Sequence, residues 1–229
     1  MKTQSKTNSK TSMLKKAYTN GEEIFNAVTH GVGTLLAITA LVVLLVHSSR
    51  IEGITKSTRT LYYAACSIFA SSLILLYLMS TLYHSLTPVK AKKVFAIFDH
   101  SSIYILIAGT YTPFCLIALH GVLGYVIFAV IWALAIAGIS LYAVFGSRIK
   151  LLSAIMYVLM GWMIVFAIKP LKESLCTKSI VYLLIGGGIY TLGVIFYSLK
   201  KVKWMHCIWH FFVLGGSVFH FFSVYYALG

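Results

Sequence analysis

The chain has 229 residues, of which 59% are hydrophobic and 10% are charged, and its mean hydropathy is +0.89. Soluble globular domains contain about 25% charged residues, so this composition excludes a soluble enzyme and predicts an integral membrane protein. The net charge of +14 does not indicate a nucleic-acid partner, because the basic residues lie in short loops beside apolar segments. We expect membrane lipids as partners, and the sequence identifies no protein partner.

The first 21 residues are polar and contain five lysines. They lack the apolar core and the small-residue cleavage site of a signal peptide. We therefore predict a disordered, polybasic cytoplasmic tail over 1–21 and a membrane domain over 22–229. A specific lipid-binding motif in the tail is an alternative, but anionic lipids attract any polybasic segment.

Seven apolar segments follow the tail. A membrane-spanning helix needs roughly 20 mainly apolar residues, and each segment is close to that length. The sequence therefore predicts an all-α membrane protein, a bundle of seven transmembrane helices. The predicted spans are 25–46, 61–83, 94–118, 122–144, 151–168, 180–199 and 206–228.

The basic residues predict the orientation of the bundle. Thirteen of the 19 lie on one side of the predicted spans, and positively charged loops remain in the cytoplasm. We therefore expect a multi-pass protein of the cell membrane with a cytoplasmic N-terminus and an external C-terminus. The thirteen are the five lysines of the tail and Lys90, Lys92, Lys93, Arg148, Lys150, Lys200, Lys201 and Lys203.

Several polar residues converge at the predicted cytoplasmic ends of the spans. Asp99 is the only aspartate of the chain and lies inside an apolar run, where an ionised carboxylate costs about 2.5–3.5 kcal/mol. His84 ends the second span, with Ser80 one turn earlier on the same helix face. His206 and His210 are four residues apart and share a face at the start of the seventh span. We expect all of these side chains in the inner leaflet.

This set of side chains predicts a metal site. For a single intramembrane histidine, a hydrogen bond to a neighbouring helix is the commoner role, but here several helices meet at one depth. The three imidazoles of His84, His206 and His210 would fill three positions of a tetrahedral zinc ion and leave the fourth for water, as in catalytic sites. Asp99 would then act through the water, as a base or as an orienting group.

Glu23, Asn26 and His30 share a stripe of the first predicted span. Three histidines already suffice for zinc, so we predict that this stripe supports the site by orienting ligands or binding a head group. A simple polar latch between helices is the alternative. We expect lesser roles for His100, which points about 100° away from Asp99 on a helix, and for His220, which lies in another layer.

Three motifs identify a resemblance to a known family. Glu23, Asn26 and His30 form E-x2-N-x3-H, Ser80 and His84 form S-x3-H followed by Asp99, and the last span begins with H-x3-H. Over residues 22–228 the chain resembles hemolysin III type proteins of the progestin and adiponectin receptor (PAQR) family. The resemblance implies seven helices, a cytoplasmic N-terminus, zinc held by the three matching histidines, and Asp99 near the water on that zinc.

The resemblance and the residues together leave the activity open. Receptor members of the family resemble alkaline ceramidases, which implies hydrolysis of a ceramide-like lipid, and the bacterial-type branch is linked to membrane-lipid homeostasis. Our first hypothesis is a zinc-dependent intramembrane hydrolase of a lipid amide or ester, with Asp99 as the base. Ser80 would orient His84 or donate to the oxyanion.

Two alternatives compete with the hydrolase. A non-enzymatic membrane regulator or receptor could use the zinc to tie helices together, since metal binding supplies folding energy. A pore or cytolysin rests mainly on the family name, because no predicted span shows the polar stripe of a water-filled lumen.

Overall fold

The computed structural model describes residues 18–119, 121–199 and 202–229. Most of the predicted tail, residues 1–17, lies outside these ranges, as do Lys200 and Lys201, which contributed to the predicted orientation. Within the described ranges the protein is helical and contains no β-strand.

Eight α-helices make up the described protein, and short π-helical and 3₁₀ turns lie between some of them. The helices are α1 (Asn20–Arg50), α2 (Lys56–Ser85), α3 (Val89–Pro113), α4 (Val122–Phe145), α5 (Lys150–Trp162), α6 (Ile168–Ser174), α7 (Thr177–Ser198) and α8 (Met205–Ala227).

Six segments of the described chain are long and apolar enough to cross a membrane, so the protein is an all-helical, multi-pass membrane protein. The fourth and fifth predicted spans both fall within one of these segments, Val122–Ser174. The count of seven spans and the orientation of the termini therefore stay predictions.

The central helix of the bundle is α3. About 78% of the most apolar stretch of Val89–Ala118 is buried, against 22% for Val122–Ser174. Large side chains without solvent contact, such as Tyr77 and Tyr104, fill the space around it. The outer segments instead expose apolar side chains, such as Val122 of α4 and Phe166 of the segment between α5 and α6, and in a membrane protein such a surface contacts lipid.

The start of α1 is held by its own cap and by the start of α8. The Thr19 hydroxyl accepts the N–H of Glu22, and the Glu22 carboxylate accepts the N–H of Thr19, which is a capping box. The other carboxylate oxygen of Glu22 accepts the backbone N–H of Trp204 at 2.7 Å. The first turns of α1 and α8 therefore lie side by side, and the Cys207 thiol, next to His206 in the chain, lies 3.9 Å from the Glu22 carbonyl oxygen.

Two predicted spans are less regular than expected. The third continues beyond Pro113 as a π-helical turn, Phe114–Ala118. The fifth, predicted as one helix over 151–168, ends as an α-helix at Trp162 and continues as a 3₁₀ turn, Met163–Ala167. The Tyr111 hydroxyl accepts the N–H of Ile164 and donates to the carbonyl of Met160, both at 2.7 Å. A side chain of α3 thus supplies hydrogen bonds where the helix changes form.

Candidate metal centre

Four helix ends meet at one end of the bundle, which we call the site end: α1, α3 and α8 begin there, and α2 ends there. Polar residues in the first turns of α1, α3 and α8 and in the last turn of α2 therefore lie at a similar depth. This convergence was expected from the order of the predicted spans, since alternate spans run in opposite directions.

Three histidines come together at the site end. His84 of α2 and His206 and His210 of α8 each offer a ring nitrogen, and these atoms all lie within 4.8 Å of one another. The Nε2 atoms of His206 and His210 are 3.2 Å apart. His84 and His210 are buried, and His84 Nε2 has no hydrogen-bond partner within the described ranges. Converging imidazole nitrogens are a donor set that fits a divalent transition metal, zinc among them.

Asp99 and Ser80 lie on the wall of a cavity that His206 and His210 also line. The Asp99 side chain is mostly buried, and its Oδ2 is 3.4 Å from Nδ1 of His100. It lies outside the cluster of three converging nitrogens. Ser80 is buried one turn before His84 on α2. The structure thus brings both residues to the same cavity as His206 and His210, and their chemical roles stay predictions.

Glu23 contacts both His84 and a lysine that the sequence reasoning missed. Its Oε2 lies 2.7 Å from His84 Nδ1, and its Oε1 lies 2.7 Å from Nζ of Lys92 in the first turn of α3. In the sequence analysis Lys92 serves only to orient the bundle, as one of the basic residues of a loop. Lys92 precedes Asp99 by seven residues and therefore shares its face of α3. This spacing is the signal that could have identified Lys92 as a residue near the site.

Asn26 and His30 continue the stripe of Glu23 along α1, and both are buried. The His30 ring stacks on the His210 ring, with centroids 3.6 Å apart and planes inclined by 13°. It also meets Tyr77 edge-on, with a centroid distance of 5.0 Å. The stripe therefore faces the three histidines, although its predicted supporting role stays a prediction.

Tyr18 covers the histidines from the site end. Its ring stacks on His206, with centroids 4.8 Å apart and planes inclined by 23°, and its centroid is 5.6 Å from that of His84. Burial raises the pKa of the Tyr18 hydroxyl above its usual value. Sequence reasoning placed this residue in the disordered tail, because a single tyrosine beside lysines carries no periodic signal.

A cavity of about 120 Å³ extends from the histidines into the bundle, and its walls are mainly apolar. His100, which the sequence predicts to point away from Asp99, and His220, which it predicts to lie in another layer, both line this cavity. His100 stacks on Tyr142 with a centroid distance of 5.0 Å. His220 lies deeper, with Nε2 3.3 Å from the carbonyl of Leu183.

One wall of this cavity is thin. Trp162 of α5 donates from Nε1 to Oγ1 of Thr191 of α7 at 2.9 Å, and both residues line the cavity. Trp162 and Leu184 are also exposed at the outer surface. Between α5 and α7, therefore, a single layer of side chains separates the cavity from the surface that contacts lipid.

Comparison with known proteins identifies relatives over most of the chain. Residues 18–221 match the family described as Haemolysin-III related. The chain is 48% identical to "Hemolysin-3" of Bacillus cereus over 203 residues, covering 89% of this chain and 90% of that protein. It is 46% identical to the "Hemolysin-3 homolog" of Bacillus subtilis (strain 168) over 207 residues, covering 90% and 94%.

An animal protein is more distantly similar. The "Monocyte to macrophage differentiation factor" of Homo sapiens is 26% identical over 164 residues, which cover 69% of this chain and 68% of that protein.

Proposed function

Because this chain belongs to the Haemolysin-III related family of membrane proteins, we propose that it is a zinc-dependent intramembrane hydrolase. Its substrate would be a lipid amide or ester, and its activity would serve membrane-lipid homeostasis. One observation carries the proposal: three imidazole nitrogens converge within 4.8 Å at a largely apolar cavity that Asp99 and Ser80 also line.

The residues that would hold zinc are His84, His206 and His210. A bound zinc ion supplies Lewis acidity, which polarises a carbonyl group and makes water a better nucleophile at neutral pH. The donor set supports zinc over magnesium or calcium, because those ions require mainly oxygen ligands.

Asp99 would transfer the proton in this reaction. Its carboxylate would accept a proton as water adds to the lipid carbonyl carbon, and would return that proton to the leaving amine or alcohol when the C–N or C–O bond breaks. Ser80 would donate its hydroxyl hydrogen to the oxygen on which negative charge develops, or would orient His84.

The cavity supports a lipid as the substrate. Its mainly apolar walls would accept an acyl chain and exclude bulk water, and its lining also includes the polar side chains of Asp99 and Ser80. A lipid could enter through the thin wall between α5 and α7, beside Trp162, with one of its chains in the cavity, and present its amide or ester to Asp99. A ceramide-like lipid fits these requirements.

The proposal includes seven membrane crossings with the N-terminus in the cytoplasm. The segment Val122–Ser174 has 53 residues, which as a straight helix would measure about 80 Å, whereas the hydrocarbon core of a bilayer is about 30 Å thick. Gly146, directly after α4, has a φ of 53°, a conformation that glycine tolerates best. These facts support two crossings within this segment, and the site end would then lie in the cytoplasmic half of the cell membrane.

The test is hydrolysis by the purified, zinc-loaded protein in lipid nanodiscs, with products identified by mass spectrometry across a panel of ceramides, N-acyl lipids and glycerol esters. We expect turnover of at least one class. The Asp99→Asn variant should retain zinc and lose activity, whereas Glu173→Gln, which removes an exposed carboxylate elsewhere, should behave as the unaltered protein. Zinc-loaded protein that hydrolyses no lipid of the panel would contradict the proposal.

A second candidate is a non-enzymatic regulator or receptor with a structural zinc. It is supported by the origin of the three histidines in α2 and α8, helices far apart in sequence that a metal would tie together. On this alternative, cells carrying Asp99→Asn should keep the phenotype of the unaltered protein, whereas His210→Ala should abolish it. Loss of the phenotype with Asp99→Asn at full zinc occupancy would favour the hydrolase.

A further inference from the structure

We propose that Glu23 and Lys92 act as a pair that positions His84, so that the Nε2 atom of His84 faces His206 and His210. The inference rests on the proposed metal site, and it assigns to Lys92 a role beyond that of a loop charge.

The contact between Glu23 and His84 selects one form of the imidazole. The Glu23 carboxylate can only accept hydrogen bonds, so at 2.7 Å the Nδ1 atom of His84 must be the donor. In a neutral ring the lone pair then lies on Nε2, the atom without a partner among the described residues. That atom belongs to the ring that completes the cluster with His206 and His210.

Lys92 holds the other oxygen of the same carboxylate. Its Nζ lies 2.7 Å from Glu23 Oε1 and 5.1 Å from the ring centroid of Tyr83, a distance at which an ammonium group and an aromatic ring attract each other. The lysine is therefore held between two partners, and with Oε1 occupied the carboxylate presents Oε2 to His84. Tyr83 directly precedes His84 in α2, so the contact of Lys92 with Tyr83 and the contact of Glu23 with His84 involve the same turn of that helix.

The burial of these groups separates the pair from an ordinary surface salt bridge. Exposed ion pairs contribute little to stability, but the side chains of Glu23 and His84 are only 11% and 0% exposed, and that of Lys92 is 27% exposed. The contacts join α1, α2 and α3 at one point. A change of Lys92 should therefore alter the position of a carboxylate that touches a proposed metal-ligating ring, although the lysine is not itself one of the three ligands.

A carboxylate that accepts from a ligating histidine both fixes the ring and makes it a stronger donor. Loss of such a partner typically weakens metal affinity by about 10- to 100-fold. We expect Glu23→Gln to show a loss of this size, because the amide keeps the shape but not the charge. Lys92→Met should show a smaller loss, since the carboxylate remains but is no longer held.

The experiment measures zinc affinity by competition with a chromophoric chelator, using the full-length protein in detergent. The variants are Glu23→Gln, Lys92→Met, Lys92→Arg and the matched control Lys93→Met, whose lysine is the exposed neighbour of Lys92. Absorption spectra of the cobalt-substituted proteins report the ligand geometry independently of any activity. We expect weaker zinc binding and an altered cobalt spectrum for the first two variants, with Lys92→Arg and Lys93→Met close to the unaltered protein.

Equal zinc affinity in Glu23→Gln, Lys92→Met and the unaltered protein would overturn this inference alone. A failure of the unaltered protein and of Lys93→Met to bind zinc would overturn the proposed metal site together with it. Nitrogen-15 spectra of the metal-free, unaltered protein give a test that needs no variant of the pair. They should show His84 protonated on Nδ1, and a His84 ring protonated only on Nε2 would overturn the inference.

Discussion

The imidazole rings of His30 and His210 stack almost in parallel, with their centroids 3.6 Å apart. His210 contributes to the cluster of three converging nitrogens, whereas His30 does not. The stack therefore fixes the plane of a proposed zinc ligand from one face and leaves its edge free for the metal.

This arrangement predicts different effects of two alanine substitutions. His30→Ala should retain close to one zinc per chain and lose much of the hydrolytic activity, because the stacking removed is worth about 0.5–1.5 kcal/mol while all three nitrogens remain. His210→Ala should lower zinc occupancy sharply. Elemental mass spectrometry of the purified, monodisperse variants measures the zinc content of each. Loss of zinc from a folded His30→Ala variant would make His30 a ligand in place of one of the three.

The position of Tyr18 over the site predicts that a bound zinc ion leaves the protein slowly. Because its ring stacks on His206 at 4.8 Å, removal of the ring in Tyr18→Ala should speed zinc loss to a water-soluble chelator by about 2- to 10-fold. Tyr18→Phe keeps the ring and should exchange zinc as slowly as the unaltered protein. Stopped-flow detection of the zinc–chelator complex measures the rate, and equal rates in Tyr18→Ala and the unaltered protein would show that the tyrosine does not cover the site.

Two glycines of α7 differ in the space around them, and this difference predicts opposite effects of alanine substitutions. A Cβ atom at Gly186 would overlap the His220 ring and lie 3.1 Å from the Gly216 carbonyl, whereas a Cβ at Gly188 would meet nothing within 4 Å. Gly186→Ala should therefore destabilise the protein by about 1–3 kcal/mol through overpacking. Gly188→Ala should be neutral or stabilise by up to about 1 kcal/mol, since alanine favours helix. Melting temperatures in detergent would contradict this if the two variants were equally stable.

The proposed topology predicts which side of the membrane each end of the bundle faces. In a background of Cys176→Ser, which removes the exposed cysteine, a cysteine at Lys203 near the site end should not react with an impermeant maleimide added to intact cells. A cysteine at Lys56, at the opposite end, should react, because both positions are exposed. Labelling of the Lys203→Cys protein from outside would reverse the orientation and place the site in the outer half.

The sequence alone was sufficient for the family and for the helical, multi-pass architecture. Family membership, predicted from three motifs of spaced polar residues, is confirmed by the match over residues 18–221. Both features depend on local information: the length of an apolar segment decides whether it crosses a bilayer, and spacings of three and four place side chains on one helix face. The stripe of Glu23, Asn26 and His30 and the pair His206 and His210 could therefore be read from spacing.

What the sequence could not supply is the rotation of each helix about its axis and the path of irregular turns. The contact of Lys92 with Glu23, the stack of Tyr18 on His206 and the entry of His100 into the cavity each join side chains whose approach depends on how neighbouring helices pack. The turn after Trp162 likewise depends on the hydroxyl of Tyr111 from another helix. Spacing along the chain determines which residues share a face, but only the packed bundle decides what that face meets.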